Sequence, residues 1–167
     1  MTGVGSARTV TVLKDLEFTH VVSIPDGESR HLFAALTDDP EITVISPTRE
    51  GEGLAIAAGL WVGGCKPLVL LQNTGLMEAG DALRGCGIGP SIPLMLLVGW
   101  RGYPGTLAGR LPIDSAYPFT VPLLDAWEVP HWRLMSDEDL PVLAEMDRVA
   151  STSSKPAAVV FGHAFLP

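Results

Sequence analysis

The chain has 167 residues, 47% of them hydrophobic and 18% charged, with a formal net charge of −8. That length suits one domain with a sizeable core, and the acidic balance, with eleven scattered basic residues, excludes a face built to neutralise nucleic-acid phosphates. Charged residues fall short of the about 25% usual in a soluble domain, which calls for either a membrane segment or a large interface.

In chain order, residues 1–15 lack the apolar core of a signal peptide, and residues 7–17 read as a first helix. Residues 20–24 (HVVSI) are apolar and β-branched, and Pro25-Asp26-Gly27 ends them. A helix over 28–36 follows. Residues 42–46 (ITVIS) form a second strand ending at Pro47, with a helix over 48–62 behind it. Residues 67–72 (PLVLLQ) end at Asn73-Thr74-Gly75, followed by a helix over 76–84. Residues 93–98 (PLMLLV) end at Gly99, and 99–117 is the longest irregular stretch. Residues 131–135 (HWRLM) are a weaker strand, 137–151 a helix, and 157–161 (AAVVF) a last strand before Gly162.

Short continuous apolar runs bounded by Gly and Pro indicate strands covered on both faces. The alternation with helices predicts an α/β, doubly wound, mostly parallel six-stranded sheet with helices on both faces, filling 1–167 as one domain. The longest uncharged stretches, 53–65 and 85–100, are broken by Gly and Pro and are shorter than the about 20 apolar residues of a bilayer span. An interface is therefore the better account of the apolar composition, and no membrane association is expected. Cys65 and Cys86 have no metal-ligand spacing and read as reduced thiols of a cytoplasmic protein. His20, His31, His131 and His163 likewise lack metal spacing and read as structural or surface groups.

Ligands of open parallel sheets bind beyond the carboxyl ends of the strands, so the polar and glycine-rich turns at 25–29, 47–53, 73–75 and 99–105 are the candidate site. The most informative stretch is 48–64, TREGEGLAIAAGLWVGG. Taken alone, Glu50 and Glu52 are acids in a first helical turn, which the helix dipole favours by roughly 0.3–1 kcal/mol. Asn73, Thr74 and Gly75 read as a turn with a helix cap, and Pro25, Asp26 and Gly27 as a tight turn.

The run from Glu50 to Gly59, a glutamate followed nine positions later by glycine in an Ala-rich helix, resembles the signature of thiamine diphosphate enzymes. VSIPDGES at 22–29, VLLQNTGLMEAGDAL at 69–83, PLMLLVGWRGYPG at 93–105 and the terminal KPAAVVFGHAF resemble, in that order, the pyrimidine-binding (PYR) domain of the phosphonopyruvate and sulfopyruvate decarboxylases. The resemblance implies the thiamine diphosphate-binding fold of PYR type. It assigns the catalytic glutamate to Glu50, which hydrogen-bonds N1′ of the cofactor's aminopyrimidine, and cofactor contacts to Pro25, Asp26, Gly27, Asn73, Thr74 and Gly75. Arg101 is a tentative partner of an anionic substrate group, since a guanidinium suits phosphonate, sulfonate or carboxylate. The chain departs from the phosphonopyruvate enzymes after WRG, where it has TLAGRLPIDSAYPF without their acidic-Pro-Gln-His segment.

Such enzymes hold the diphosphate through Mg²⁺ on a second module marked by Gly-Asp-Gly and a downstream Asn. This sequence has no Gly-Asp-Gly, and its only asparagine is Asn73. No metal ligand is therefore expected here. The resemblance implies thiamine diphosphate and Mg²⁺ as cofactors, the metal held by a separate diphosphate-binding (PP-domain) subunit in a heterotetramer or larger assembly. The implied activity is decarboxylation of a small 2-oxo acid. The alternatives are a thiamine diphosphate-dependent carboligase subunit and a non-catalytic regulatory homologue.

Overall fold

The computed structural model describes residues 3–103 and 114–167. The elements run α1 (Ser6–Asp15), β1 (His20–Ser23), α2 (Arg30–Asp38), β2 (Thr43–Ile45), α3 (Glu50–Val62), β3 (Pro67–Gln72), α4 (Asn73–Glu78), α5 (Gly80–Leu83), β4 (Met95–Gly99), α6 (Tyr117–Ala126), β5 (His131–Leu134), α7 (Val142–Ser153) and β6 (Ala157–Phe161). The six strands form one sheet in the order β2-β1-β3-β4-β6-β5, and every pairing is parallel.

Alternation along the strands divides the core in two. Val21, Leu68, Leu70, Met95, Leu97, Ala157 and Val159 pack on one face against α1, α2 and α7, through Leu13, Leu36 and Met146 among others. Val22, Val69, Leu71, Leu96, Val98, Ala158 and Val160 pack on the other against α3 to α6, through Leu54, Leu76, Leu83 and Leu124. Both faces of each central strand are apolar because both are covered, which is why the strands read as continuous apolar runs.

The chain direction reverses at β1. From β1 it moves to the edge strand β2 by way of α2 on the first face, then returns past β1 to β3 by way of α3 on the second. The carboxyl ends of β1 and β3 are therefore left without a crossing connection, which opens a crevice between them.

All six strands lie where the sequence predicts them, within two residues at each end. The helical segments differ more. The expected helix over 76–84 is two short helices followed by a π-helical turn at Arg84–Ile88. Asn73, Thr74 and Gly75 are not a loop but the first turn of α4. The expected helix over 137–151 is a short 3-10 turn at Asp137–Asp139 and then α7, with Pro141 between them. Helix α6 goes unread in the sequence because Pro118 stands in its first turn and Pro122 within it, and proline is a strong breaker signal. Among the described residues no helix is long and apolar enough to cross a membrane.

Leu97 is fully buried in the central strand β4, whereas Val62, at the end of α3, is 70% exposed. Leu97→Ala should lower unfolding free energy by about 2–5 kcal/mol, and Val62→Ser should change it by no more than about 0.5 kcal/mol. Urea denaturation of the two variants checks this.

Candidate functional site

The crevice at the β1–β3 ends holds a cleft of about 200 Å³ lined by Ile24, Pro25, Asp26, Glu50, Leu71 and Gln72. Glu50 is the first residue of α3. A smaller apolar recess lined by Val22, Val69, Leu71 and Pro47 lies beneath it. Glu50 and Asp26 thus bring two carboxylates to a cleft of mixed polar and apolar lining, and Glu50 does so at the start of a helix, whose dipole favours negative charge there.

The two acids at the head of α3 have different work. The Glu52 carboxylate accepts from the Thr48 backbone N–H and from the Thr48 hydroxyl, both at 2.7 Å. These bonds hold its carboxyl below the usual carboxylate range and fix the entry of the chain into α3. The amide of Gly51 is met from outside the helix, donating to Glu78 at 3.0 Å, while Glu78 also pairs with Arg49. Among the described residues Glu50 makes no hydrogen bond or ion pair, and its carboxylate remains for a ligand in the cleft.

Gly75 sets where Glu50 stands. A Cβ at position 75 would lie 2.6 Å from both Cγ and Oε1 of Glu50. The side chain of Glu50 occupies the space that any other residue at 75 would take. The link between these positions, 25 residues apart, is steric.

The other sequence-predicted residues divide. Pro25 and Asp26 line the cleft with Glu50. Asp26 also caps the approach to α2: Oδ1 accepts from the amides of Glu28 (2.7 Å) and Ser29 (3.0 Å), and Oδ2 accepts from the Ser29 hydroxyl. Gly27 is exposed, and a Cβ there would meet nothing within 4 Å. Thr74 is exposed on α4. Asn73 is fully buried. Its Nδ2 donates to the Arg101 carbonyl (3.2 Å) and to the Thr120 hydroxyl (3.0 Å), so its amide ties α4 to α6 rather than facing the cleft.

Arg101 is about half exposed, and its Nε pairs with Asp114 at 2.8 Å. This pair, with Trp100 stacked on Tyr117 at 5.0 Å, clasps the two ends of the irregular stretch after β4. Residues 104–113, with Arg110, lie outside the described residues. Among the described residues no group of three or more His, Cys, Asp and Glu could hold a metal ion.

Sequence reasoning missed one residue, Glu28. Its carboxyl sits over the end of β4, where a Cβ on Gly99 would lie 3.1 Å from Oε2 and 3.0 Å from the Phe161 ring. Burial, reinforced by the charges of Asp26 and Asp114 and opposed by Arg101, pushes its carboxyl up to about 7. The only sequence signal was its place in the turn after β1, which the sequence reads as a helix start.

The contact between positions 75 and 50 is testable within this chain. Gly75→Ala should cost about 1–3 kcal/mol of stability through overpacking. Adding Glu50→Ala should relieve much of that cost, with a coupling of about 0.5–3 kcal/mol in a double-mutant cycle. Chemical denaturation of the four proteins of the cycle measures it.

Residues 4–116 match the family described as thiamine pyrophosphate enzyme, N-terminal TPP binding domain. The chain is 27% identical over 151 residues to a sulfopyruvate decarboxylase of Methanosarcina acetivorans, covering 89% of this chain and 38% of that protein. It is 31% identical over 141 residues to a phosphonopyruvate decarboxylase of Streptomyces viridochromogenes, covering 80% of this chain and 33% of that one. Against the sulfopyruvate decarboxylase subunit alpha of Methanothermobacter thermautotrophicus it is 29% identical, covering 89% of both chains. The chain thus spans about a third of the length of the first two curated relatives and most of the third. With a single unpaired carboxylate in the crevice of a doubly wound parallel sheet, and a family match over residues 4–116, the chain belongs to the thiamine pyrophosphate enzymes, as their N-terminal TPP binding domain.

Proposed function

We propose that this chain is the pyrimidine-binding subunit of a thiamine diphosphate-dependent 2-oxo acid decarboxylase, folded as one PYR-type domain over 1–167. The observation that carries the reading is Glu50: a carboxylate with no protein partner among the described residues, at the head of α3, lining the cleft where the bare Gly75 leaves room for its side chain. The cleft suits a flat aminopyrimidine, because Ile24 and Leu71 offer apolar walls while Glu50 offers one acceptor. Thiamine diphosphate, when bound, supplies the nucleophilic carbon and the electron sink that loss of CO₂ requires.

Glu50 acts by holding a proton at the pyrimidine ring nitrogen. Its neighbours Glu52 and Glu78 are occupied by the α3 backbone and by Thr48, so they do not compete for that proton. Pro25 and Asp26 line the cleft, and Gly27 follows them on the exposed turn. Gly75 positions Glu50, and Thr74 lies on the same helical turn. Asn73 contributes through the α4–α6 tie rather than by its own amide.

The diphosphate and Mg²⁺ are held by a separate PP-domain subunit. Two observations support this: the relatives named subunit alpha match this chain over most of their length, and Trp61, Val62 and Phe119 are exposed apolar side chains suited to burial by a partner. The assembly is a heterotetramer or larger. Two unpaired thiols, Cys65 and Cys86, suit the cytoplasm. The substrate is a small 2-oxo acid, and Arg101 meets its far end when that end is anionic.

In the reconstituted complex, Glu50→Gln should lower turnover by about 10²-fold or more without loss of assembly, and Glu52→Gln should leave turnover nearly unchanged. Steady-state CO₂ release checks both, and the opposite ranking would remove Glu50 from the mechanism. A second assay compares sulfopyruvate, phosphonopyruvate and an aliphatic 2-oxo acid. Arg101→Ala should lower kcat/KM selectively for the two substrates with anionic tails, and an equal fall for all three would take Arg101 out of recognition.

A further inference from the structure

The cleft at the β1–β3 ends has to receive an anion. A 2-oxo acid is ionised at neutral pH, and its reacting end offers only acceptors, the carbonyl oxygen and the two carboxylate oxygens. The side chains that line the cleft are those of Ile24, Pro25, Asp26, Glu50, Leu71 and Gln72. Ile24, Pro25 and Leu71 are apolar. Asp26 and Glu50 are carboxylates, which repel a further carboxylate brought near them. Gln72 alone of these side chains carries a hydrogen-bond donor. Without it, the substrate carboxylate would leave water for a lining that offers it no side-chain bond.

The sheet sets that donor in the open crevice. Strand β3 runs past β1, whose last pairing is Ser23 with Leu70, so Leu71 and Gln72 stand clear of β1 at the strand end. On the other side the register partner of Gln72 is Gly99, which has no side chain to occupy the amide. The chain leads from Gly99 directly to Trp100 and Arg101. Gln72 is partly buried, yet its amide has little protein to bond. Its Oε1 accepts from the Thr74 hydroxyl at 3.5 Å, at the outer limit of such a bond. Its Nε2 has no partner among the described residues.

We propose that Gln72 orients the reacting end of the substrate, its Nε2 donating to the carboxylate of the 2-oxo acid. The proposal rests on the decarboxylase reading above and divides recognition between two strand ends. Gln72, at the end of β3, meets the carboxylate that is lost, and Arg101, after β4, meets the far end when that end is anionic. An uncharged donor suits a carboxylate that has to leave. As the carbon–carbon bond breaks, its electron pair stays with the former carbonyl carbon and the carboxylate departs as neutral CO₂. A Lys or Arg in this place would bind the charged group most strongly before the reaction and so oppose its loss, because only contacts that strengthen towards the transition state accelerate a step. The amide fixes the direction of the carboxylate with a weaker hold on its charge.

The test uses the complex of this chain with its diphosphate-binding partner. The probe is the 2-hydroxy acid that matches the best of the three 2-oxo acids assayed above, which for sulfopyruvate is sulfolactate. It keeps the carboxylate and has no carbonyl to react, and its carboxyl methyl ester is the control that lacks this charge. In calorimetry, Gln72→Leu should weaken binding of the 2-hydroxy acid about 10- to 100-fold, with the ester and thiamine diphosphate both bound within a few-fold of wild type. The same variant should lower kcat/KM for the 2-oxo acid by a similar factor. Gln72→Glu keeps the size of the side chain and replaces the donor by a carboxylate. It should bind the acid more weakly still at neutral pH and recover as pH falls, because the introduced carboxyl then carries a proton to donate, a recovery that Gln72→Leu should not show. Should the leucine variant not fold, Gln72→Glu and Gln72→Asn, which draws the amide back by one methylene, serve in its place. Unchanged binding of the acid, an equal loss for acid and ester, or a loss confined to thiamine diphosphate overturns the role of Gln72 and leaves the decarboxylase reading standing. A wild-type complex that releases no CO₂ from any 2-oxo acid overturns both.

Discussion

The contact between Glu50 and the bare backbone of Gly75 governs the site. Glu50 opens α3, which follows the edge strand β2, and Gly75 lies in the first turn of α4, which follows the central strand β3. Parallel pairing through β1 brings the two helix starts together at the carboxyl edge. The carboxylate then lies within 2.6 Å of where a side chain on α4 would begin. A close-packed interior has no slack to absorb such a side chain, so the glycine and the glutamate stand or fall together. The place of Glu50 in the cleft, which Asp26 and Gln72 also line, follows from that fit.

Around this point the other polar groups are spent on holding the scaffold. Glu52 and Glu78 meet the backbone at the head of α3. Asp26 caps the turn into α2, and Asn73 joins α4 to α6 and to the segment after β4. Asn73 is buried, and leaving its amide unmatched would cost about 1–3 kcal/mol, whereas the exposed Glu52–Thr48 bonds shape the entry of the chain into α3. Of the two acids that line the cleft, Asp26 has such a duty and Glu50, among the described residues, has none.

The same economy bears on assembly. Helix α3 presents its first residue to the cleft and its last turn, with Trp61 and Val62, to the exterior. A helix that is apolar on nearly every side is either buried or waiting for a neighbour. Trp61 and Val62 lie at the opposite end of α3 from Glu50, so a chain that covered them would meet the helix about 17 Å from the cleft.

Much of this was determined by the sequence alone. Continuous apolar runs such as 67–72 and 157–161 mark strands covered on both faces, because only a two-sided core hides every residue of a strand. Their alternation with helical segments leaves few topologies, and the resemblance to thiamine diphosphate enzymes pointed to Glu50 rather than Glu52 as the acid of interest. What the tertiary structure decided is what depends on contacts distant in the chain. Asn73 has the composition of a turn residue, yet it is buried because Thr120 and the Arg101 carbonyl satisfy its amide. Helix α6 forms despite Pro122, since its buried residues Thr120 and Leu124 anchor it to α4 and the sheet. Glu28 reads as an ordinary helix-start acid, and it becomes a perturbed carboxyl because folding half buries it, over the bare Gly99, and brings Asp26 and Asp114 near. Local patterning fixes which residues are apolar or charged, but the environment of a charge is set by neighbours that only folding brings near.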